Sequence, residues 1–448
     1  MKKTIITLLA CVLAFPMFAA EPDTKTEAPV KEHLQNHFKF YGFIRNYFAF
    51  DTRESVSGTG NLFYYLPKDE NINSRGEDLN AQPSFRYLAL TSRVGVDVSG
   101  YYVNNVHFGA KVEADFYAGL SGSTGTATMR LRQAYATVTW KDLMLGGKPQ
   151  ASVAMKIGQA WHPMGADFPH VFSLEVGAPF GPFSRTPQVA MDANLGKNWT
   201  ITASALWQMQ YTSMGPAGSS ADYMKYGLTP EFYAGVTYKS KGFLMRLGAD
   251  VLSIRPRIYG EYAGEKVKVS DRITTASLFA YAQYNKGLFS ARAKTVYGSA
   301  GEHIGLMSGY AKVGTADYDA NTWEYAPLHS SSSWLSLSYG KKWQGVLFLG
   351  YMKNLGLSDG VTDEYIPVAD VYFNKNGFAN LNQMYRINPE VLYNFGKLTL
   401  GLEWQYTAVQ YGKYIGEGGK YLDHRALAKE GLHWVGNNRI QAMVKYNF

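Results

Sequence analysis

The chain has 448 residues, a formal charge of +8, 15% aromatic residues and a mean hydropathy of −0.22. Its single cysteine, Cys11, excludes a disulfide framework and a thiolate metal centre. Past the first 20 residues no run reaches the roughly 20 apolar residues that a membrane helix needs, and the absence of basic clusters argues against nucleic acid as a partner.

The chain opens with Met1-Lys2-Lys3, an apolar run from Ile5 to Phe18, and the small residues Ala19 and Ala20. This pattern predicts a secretory signal peptide over residues 1–20; its removal takes two lysines and lowers the charge to +6. Leu8-Leu9-Ala10-Cys11 also resembles a lipoprotein box, in which Cys11 would carry lipid. Because the apolar run continues past Cys11, ordinary cleavage is the reading adopted. Residues 21–37 are polar and contain proline, and they read as a flexible periplasmic lead-in.

From Phe38 to Phe448 the chain alternates with a period of two. Val106, Phe108, Ala110, Val112, Ala114 and Phe116 point one way, and His107, Gly109, Lys111, Glu113, Asp115 and Tyr117 the other. Such a strand fits a soluble sheet or a membrane barrel, and the number of segments decides. Sixteen are read, near 38–51, 84–99, 106–117, 129–140, 153–161, 187–195, 199–210, 231–239, 243–254, 273–285, 288–297, 333–341, 344–353, 384–394, 397–410 and 437–448. Most reach the 9–11 residues or so that cross a bilayer when tilted, against about 5–6 for soluble strands.

Tight links such as Gly196-Lys197-Asn198, Ser240-Lys241-Gly242, Asn285-Lys286-Gly287 and Phe395-Gly396-Lys397 alternate with long stretches such as 52–83, 162–186 and 354–383. Short turns on one side and long loops on the other are the asymmetry of an outer-membrane barrel. The final segment alternates Ile440, Ala442, Val444, Tyr446 and Phe448 with Arg439, Gln441, Met443, Lys445 and Asn447, and ends on an aromatic residue, as outer-membrane barrels do. The expected fold is an all-β, sixteen-stranded antiparallel transmembrane barrel with both termini in the periplasm.

Between Met129 and Val189 the order Arg130-Leu131-Arg132-Gln133-Ala134-Tyr135, Ile157-Gly158-Gln159-Ala160-Trp161, Gly177-Ala178-Pro179 and Arg185-Thr186-Pro187-Gln188 is similar to the DcaP-like porins. The resemblance implies a homotrimer in the outer membrane, with residues 162–186 as a third loop folded inward to narrow the pore. A helical coiled-coil extension found in some members is not expected, because residues 21–37 are short and lack heptads.

A passive channel selects by size and by the charges at its narrowest point. Parity places Arg45, Arg93, Lys111, Arg130, Arg132, Arg246, Arg292, Lys294 and Arg386 inside, with acidic Asp97, Glu113, Asp115, Asp192, Asp250, Glu390 and Glu403. Arg185 joins them beside the third loop. Two readings stand for Arg130 and Arg132. Facing Asp167 and Glu175 of the loop, they would create a transverse field that favours small anionic or zwitterionic solutes. Alternatively, they pin the loop to the wall. His162, Asp167 and His170 could suggest a metal site, but they read as ordinary polar loop residues. Trp199, Trp207, Trp343, Trp404, Tyr406 and Tyr446 read as girdle aromatics at the headgroups.

The expectation is a porin for passive diffusion of small hydrophilic solutes, with mild preference for anions, no cofactor, and lipid or lipopolysaccharide around it. Competing readings are a non-conducting structural or adhesin barrel and a barrel hydrolase. The hydrolase finds no G-x-S-x-G or H-E-x-x-H pattern. A plugged active transporter finds no room before Phe38.

Overall fold

In a computed structural model of the chain, residues 37–117, 128–317 and 322–448 are described. The predicted signal peptide, Cys11 and nearly all of the lead-in lie outside these residues.

Alternation produces its expected element. The barrel strands are β1 Phe38–Asp51, β2 Arg93–Val103, β3 Val106–Tyr117, β4 Thr128–Leu145, β5 Lys148–Trp161, β6 Arg185–Leu195, β7 Trp199–Leu206 and β8 Glu231–Ser240. They continue as β9 Phe243–Ile254, β10 Ile273–Lys286, β11 Phe289–Ser299, β12 Thr322–Gly340, β13 Trp343–Gly356, β14 Leu381–Phe395, β15 Leu398–Lys413 and β16 Glu430–Asn447. Each pairs antiparallel with its sequence neighbour, and β1 pairs with β16 from Phe43↔Asn447 to Asp51↔Arg439. That last ladder closes the cylinder. Closure satisfies backbone groups that an open edge would leave unpaired in hydrocarbon.

Burial along β3 is inverted relative to a soluble protein. Phe108, Val112 and Phe116 are 42%, 47% and 40% exposed, whereas Glu113 and Asp115 are 5% and 1% exposed. The apolar row faces outward, and the charged row faces a crowded interior. Trp199 packs at a tilt beside Tyr238, with ring centroids 4.8 Å apart, and Trp343 beside Tyr393 at 4.7 Å, at the short-turn ends of their strands. These pairs are half-exposed aromatics of the girdle type.

The short turns are two to three residues long. In the β8–β9 turn Lys241 and Gly242 both have positive φ, at 38° and 86°, as a tight hairpin that follows strand twist requires. Of several departures from regular pairing in the wall, two bear on the interior face. Residues 84–99, read as one segment, divide into a strand Ser84–Leu88 and β2, because Ala89–Ser92 opposes only three residues of β1 and Thr91 adopts a φ of 70°. In β4, Glu113 pairs with Gln133 but Ala114 pairs with Leu131, so Arg132 is the extra residue of a β-bulge.

The outward row defines a testable cost. Leu247 in β9 faces hydrocarbon while its neighbour Arg246 faces the lumen. We expect Leu247→Arg to destabilise the barrel by about 2–4 kcal/mol, measured by denaturant unfolding in phospholipid vesicles. A neutral result would contradict the face assignment.

Candidate permeation site

The third loop, residues 162–184, leaves Trp161 and folds inside the barrel. Its sequence is rich in Pro and Phe, which restrict the backbone and supply large rigid surfaces. Phe172, Phe180 and Phe183 are buried, and Trp161 packs edge-on to Phe168 and Phe183 with centroids 4.6 and 5.1 Å apart. A backbone inside the lumen still needs hydrogen-bond partners, and inward polar side chains supply them.

Those partners lie on strands far around the wall. Lys294 donates to the carbonyls of Met164 and Asp167 at 2.8 and 3.0 Å, and Arg292 to that of Phe168 at 2.9 Å. Ser336 accepts from His170 N, and Glu390 accepts from Phe172 N. Tyr47 donates to the Phe172 carbonyl at 2.7 Å. Arg246 pairs with Asp167, while Glu175 sits between Arg386 at 3.5 Å and the amide of Gln405. The loop therefore lies against the arc from β8 through β15 to β1.

The opposite arc, β1 to β6, remains facing open space. A cavity of about 800 Å³ is lined there by Arg45, Arg93, Arg130, Arg132, Arg185, Lys375 and Lys445, with Glu113 the one carboxylate among the described residues that line it. A second cavity of about 320 Å³ lies on the short-turn side of the loop, against Gln344, Asn394 and Thr399. Both cavities are bounded by Arg45, Val176 and Lys445, which mark the waist between them.

Two of the wall's irregularities shape this basic face. The bulge at Arg132 lets Arg130 and Arg132 both reach inward. Arg130 grips Asp115 through two 3.0 Å bonds, and Arg132 bridges Glu113 and Asp115 at 2.7 Å each. The break at Ala89–Ser92 turns Thr91 Oγ1 toward the Arg45 guanidinium, at 2.8 and 3.1 Å, and sets Ser92 Oγ under Arg45 N. Arg185 rests over the Trp161 ring at 4.8 Å, an arrangement that suits a planar guanidinium.

Sequence-derived candidates thus divide into two groups. Arg45, Arg93, Glu113, Arg130, Arg132 and Arg185 line the cavity, with Asp115 buried beneath the arginines. Arg246, Arg292, Lys294 and Arg386 hold the loop instead, together with the loop's own Asp167 and Glu175. Lys111 sits apart, paired with Asp97 at 2.7 Å. Arg130 and Arg132 do not face Asp167 and Glu175; their carboxylate partners are on β3, and the loop's acids are held by cations across the barrel. His170 adds no charge, since burial and then the neighbouring Arg292 hold its imidazole down at about 4. Lys445 and Lys375 were missed as candidates. Lys445 carries the inward parity of the last strand, whereas Lys375 stands in a loop where no periodicity speaks.

The first loop also enters the bore. Leu62, Tyr64 and Leu66 are fully buried, and Arg386 donates to the carbonyls of Tyr64 and Tyr65. The run Leu62-Phe63-Tyr64-Tyr65-Leu66 is the sequence signal for it, unusually apolar for an outer loop.

His162 parts company with Asp167 and His170. Its Nε2 lies 2.8 Å from Glu231 Oε1 and 3.9 Å from Asp250, and the three side chains bring candidate ligand atoms within 4.8 Å of one another. His162 Nδ1 accepts from Met164 N at 3.2 Å, so its proton sits on Nε2, the atom a metal would need free. The 2.8 Å separation is a hydrogen-bond length. These residues do not fit a metal ion.

A closed sixteen-stranded antiparallel barrel, narrowed by an inward third loop and lined with cations, has the fold of the outer-membrane porins. A family model described as DcaP outer membrane protein matches residues 18–153, and so shows the resemblance to that family. The text that carried the resemblance in the sequence runs from Met129 to Val189, so the two overlap only at the start of that stretch. Among solved structures, the outer membrane channel DcaP of Acinetobacter baumannii superposes with a TM-score of 0.59 at 16% identity, covering 92% of this chain and 97% of the other. An anion-selective porin from Comamonas acidovorans gives 0.52 at 10% identity, covering 92% and 99%. No curated protein sequence matches the chain.

If the loop is held as described, its buried acid depends on its cation. Arg386→Met should cost about 3–5 kcal/mol by leaving Glu175 without its charge partner. Adding Glu175→Gln should recover most of that loss in a double-mutant cycle of denaturant unfolding. Additive losses would show that the two side chains are not coupled.

Proposed function

We propose that the protein is an exported, homotrimeric outer-membrane porin through which small hydrophilic solutes diffuse passively, with mild preference for anions. The observation that carries this reading is the one-sided lumen: the third loop is neutralised against the β8–β15 arc, and the remaining passage runs past seven cationic side chains. Glu113 and Asp115 compensate Arg130 and Arg132 in part, so the preference is mild rather than absolute. Trimerisation and the cleaved leader rest on the family resemblance and the N-terminal pattern. The anion-selective porin of similar fold is consistent with the charge reading and carries no more than that.

Planar-bilayer recording tests it. Under a salt gradient the reversal potential should report anions ahead of cations, and Arg45→Glu with Lys445→Glu should lower or invert the ratio while leaving the barrel folded. The preference should shrink in high salt, where the screening length falls toward about 3 Å at 1 M. A silent membrane would favour the structural-barrel reading, and clear cation selectivity would refute the charge argument.

A further inference from the structure

At the root of the third loop five ionisable side chains meet out of contact with solvent: His162 of the loop, Glu231 of β8, Asp250 of β9, and Glu302 and His303 of the short 3-10 turn Gly301–Ile304 between β11 and β12. None is more than 2% exposed. The pore reading does not use them.

Hydrogen bonding fixes where the protons lie. His162 Nδ1 accepts from Met164 N, so its Nε2–H donates to Glu231 Oε1 at 2.8 Å. His303 Nδ1 lies 3.0 Å from the Ala300 carbonyl, which can only accept, so that nitrogen carries a proton. His303 Nε2 then lies 3.0 Å from the same Glu231 oxygen. That contact is a bond only while one further proton stays between imidazole and carboxyl. Without it a nitrogen lone pair faces an oxygen anion in a site without water contact.

We propose that His303, Glu231 and His162 form a proton-operated latch that ties the root of the constriction loop to the β11–β12 loop and the β8–β9 wall, closed while His303 is protonated and released as the outside medium becomes alkaline. This rests on the porin reading and names a regulation of the same passage.

The acids beside His303 support the sign: Glu231 holds its Nε2 and Glu302 is its chain neighbour, while Asp250 lies against His162. Glu231, Asp250 and Glu302 are acids, and Glu231 Oε2, Asp250 Oδ1 and Glu302 Oε2 have no hydrogen-bond partner among the described residues. Burial disfavours the His303 imidazolium, yet Glu231, followed by Glu302, outweighs it and leaves His303 above its ordinary value. Burial also lifts the Glu302 carboxyl to about 7, so that group is partly ionised near neutrality and gains negative charge beside His303 as pH rises. A raised histidine stabilises its contact fully below the ordinary value of about 6.5 and loses that contribution as pH climbs through the raised one. The latch is therefore firm in acid and weak in alkali. Its mechanical link is direct, because Phe183 N, at the loop's far end, donates to the carbonyl of Ile304 in the same turn.

The test is hydrogen exchange of residues 162–184 in the whole detergent-solubilised protein, corrected for intrinsic rate, from about pH 5.5 to 9. Wild type should lose protection roughly tenfold across this range. His303→Gln, whose amide N–H donates to Glu231 without titrating, should stay flat. Histidine ¹⁵N NMR of the wild type reads the Nε2 proton directly, whether or not the variant folds. Flat wild-type exchange, a histidine that does not titrate, or His303→Gln exchange that tracks wild type overturns the latch. So does protection that responds to zinc or chelator rather than to protons. Bilayer recording separates the two readings: a conducting channel with flat exchange loses only the latch, and titrating exchange in a silent protein loses only the pore.

Discussion

Hydrocarbon offers no hydrogen bonds, and this one constraint organises the molecule. It closes β1 on β16, and it turns charged residues such as Arg246, Lys294 and Glu403 to the inside, where the only relief is other protein or water. The interior therefore begins with an excess of polar groups seeking partners. A loop backbone, which carries a donor and an acceptor at nearly every residue, satisfies them in bulk. Lys294, Arg292, Arg246 and Arg386 are bound to the third loop because the barrel had to put them somewhere that was not lipid, and the loop is rigid because so many of its carbonyls are spoken for.

How much of this was legible follows from which residues obey a period. All sixteen strands were readable because alternation in a barrel has no competing explanation over that many segments. Their ends drifted by a few residues, most at β12, read from Ser333 but starting at Thr322, where the strand rises past the membrane and loses the lipid-facing signal. The inward arginines were readable by parity, yet parity is blind to depth and azimuth. Nothing in the sequence distinguishes Arg93, which lines the passage, from Lys294, which is buried under the loop. The transverse pairing expected between Arg130, Arg132 and the loop acids was an azimuth error of this kind. The histidine cluster was invisible for the same reason: its members come from two loops and two strands, and only the fold makes them neighbours.

The places where the period fails are more informative than those where it holds. Counted by simple alternation, apolar residues fall on both faces of β4, because a bulge resets the parity at Arg132. The segment 84–99 breaks at Thr91, a β-branched residue held at positive φ, a conformation such residues avoid. These two of the wall's several defects sit on the arc that the loop leaves uncovered, and both point an arginine or its hydroxyl partner at the lumen. Regular pairing continued from Gln133 would turn both Arg130 and Arg132 toward lipid, and an unbroken strand at Ala89–Ser92 would leave Arg45 without its Thr91 partner. Irregularity here resets which residues face inward, and bulges of this kind re-aim side chains. The uneven charge of the bore thus has two sources on opposite walls: cations engaged by the loop on one side, and cations left around the cavity beside broken register on the other. Either alone would leave a barrel; the one-sided charge around the cavity needs both.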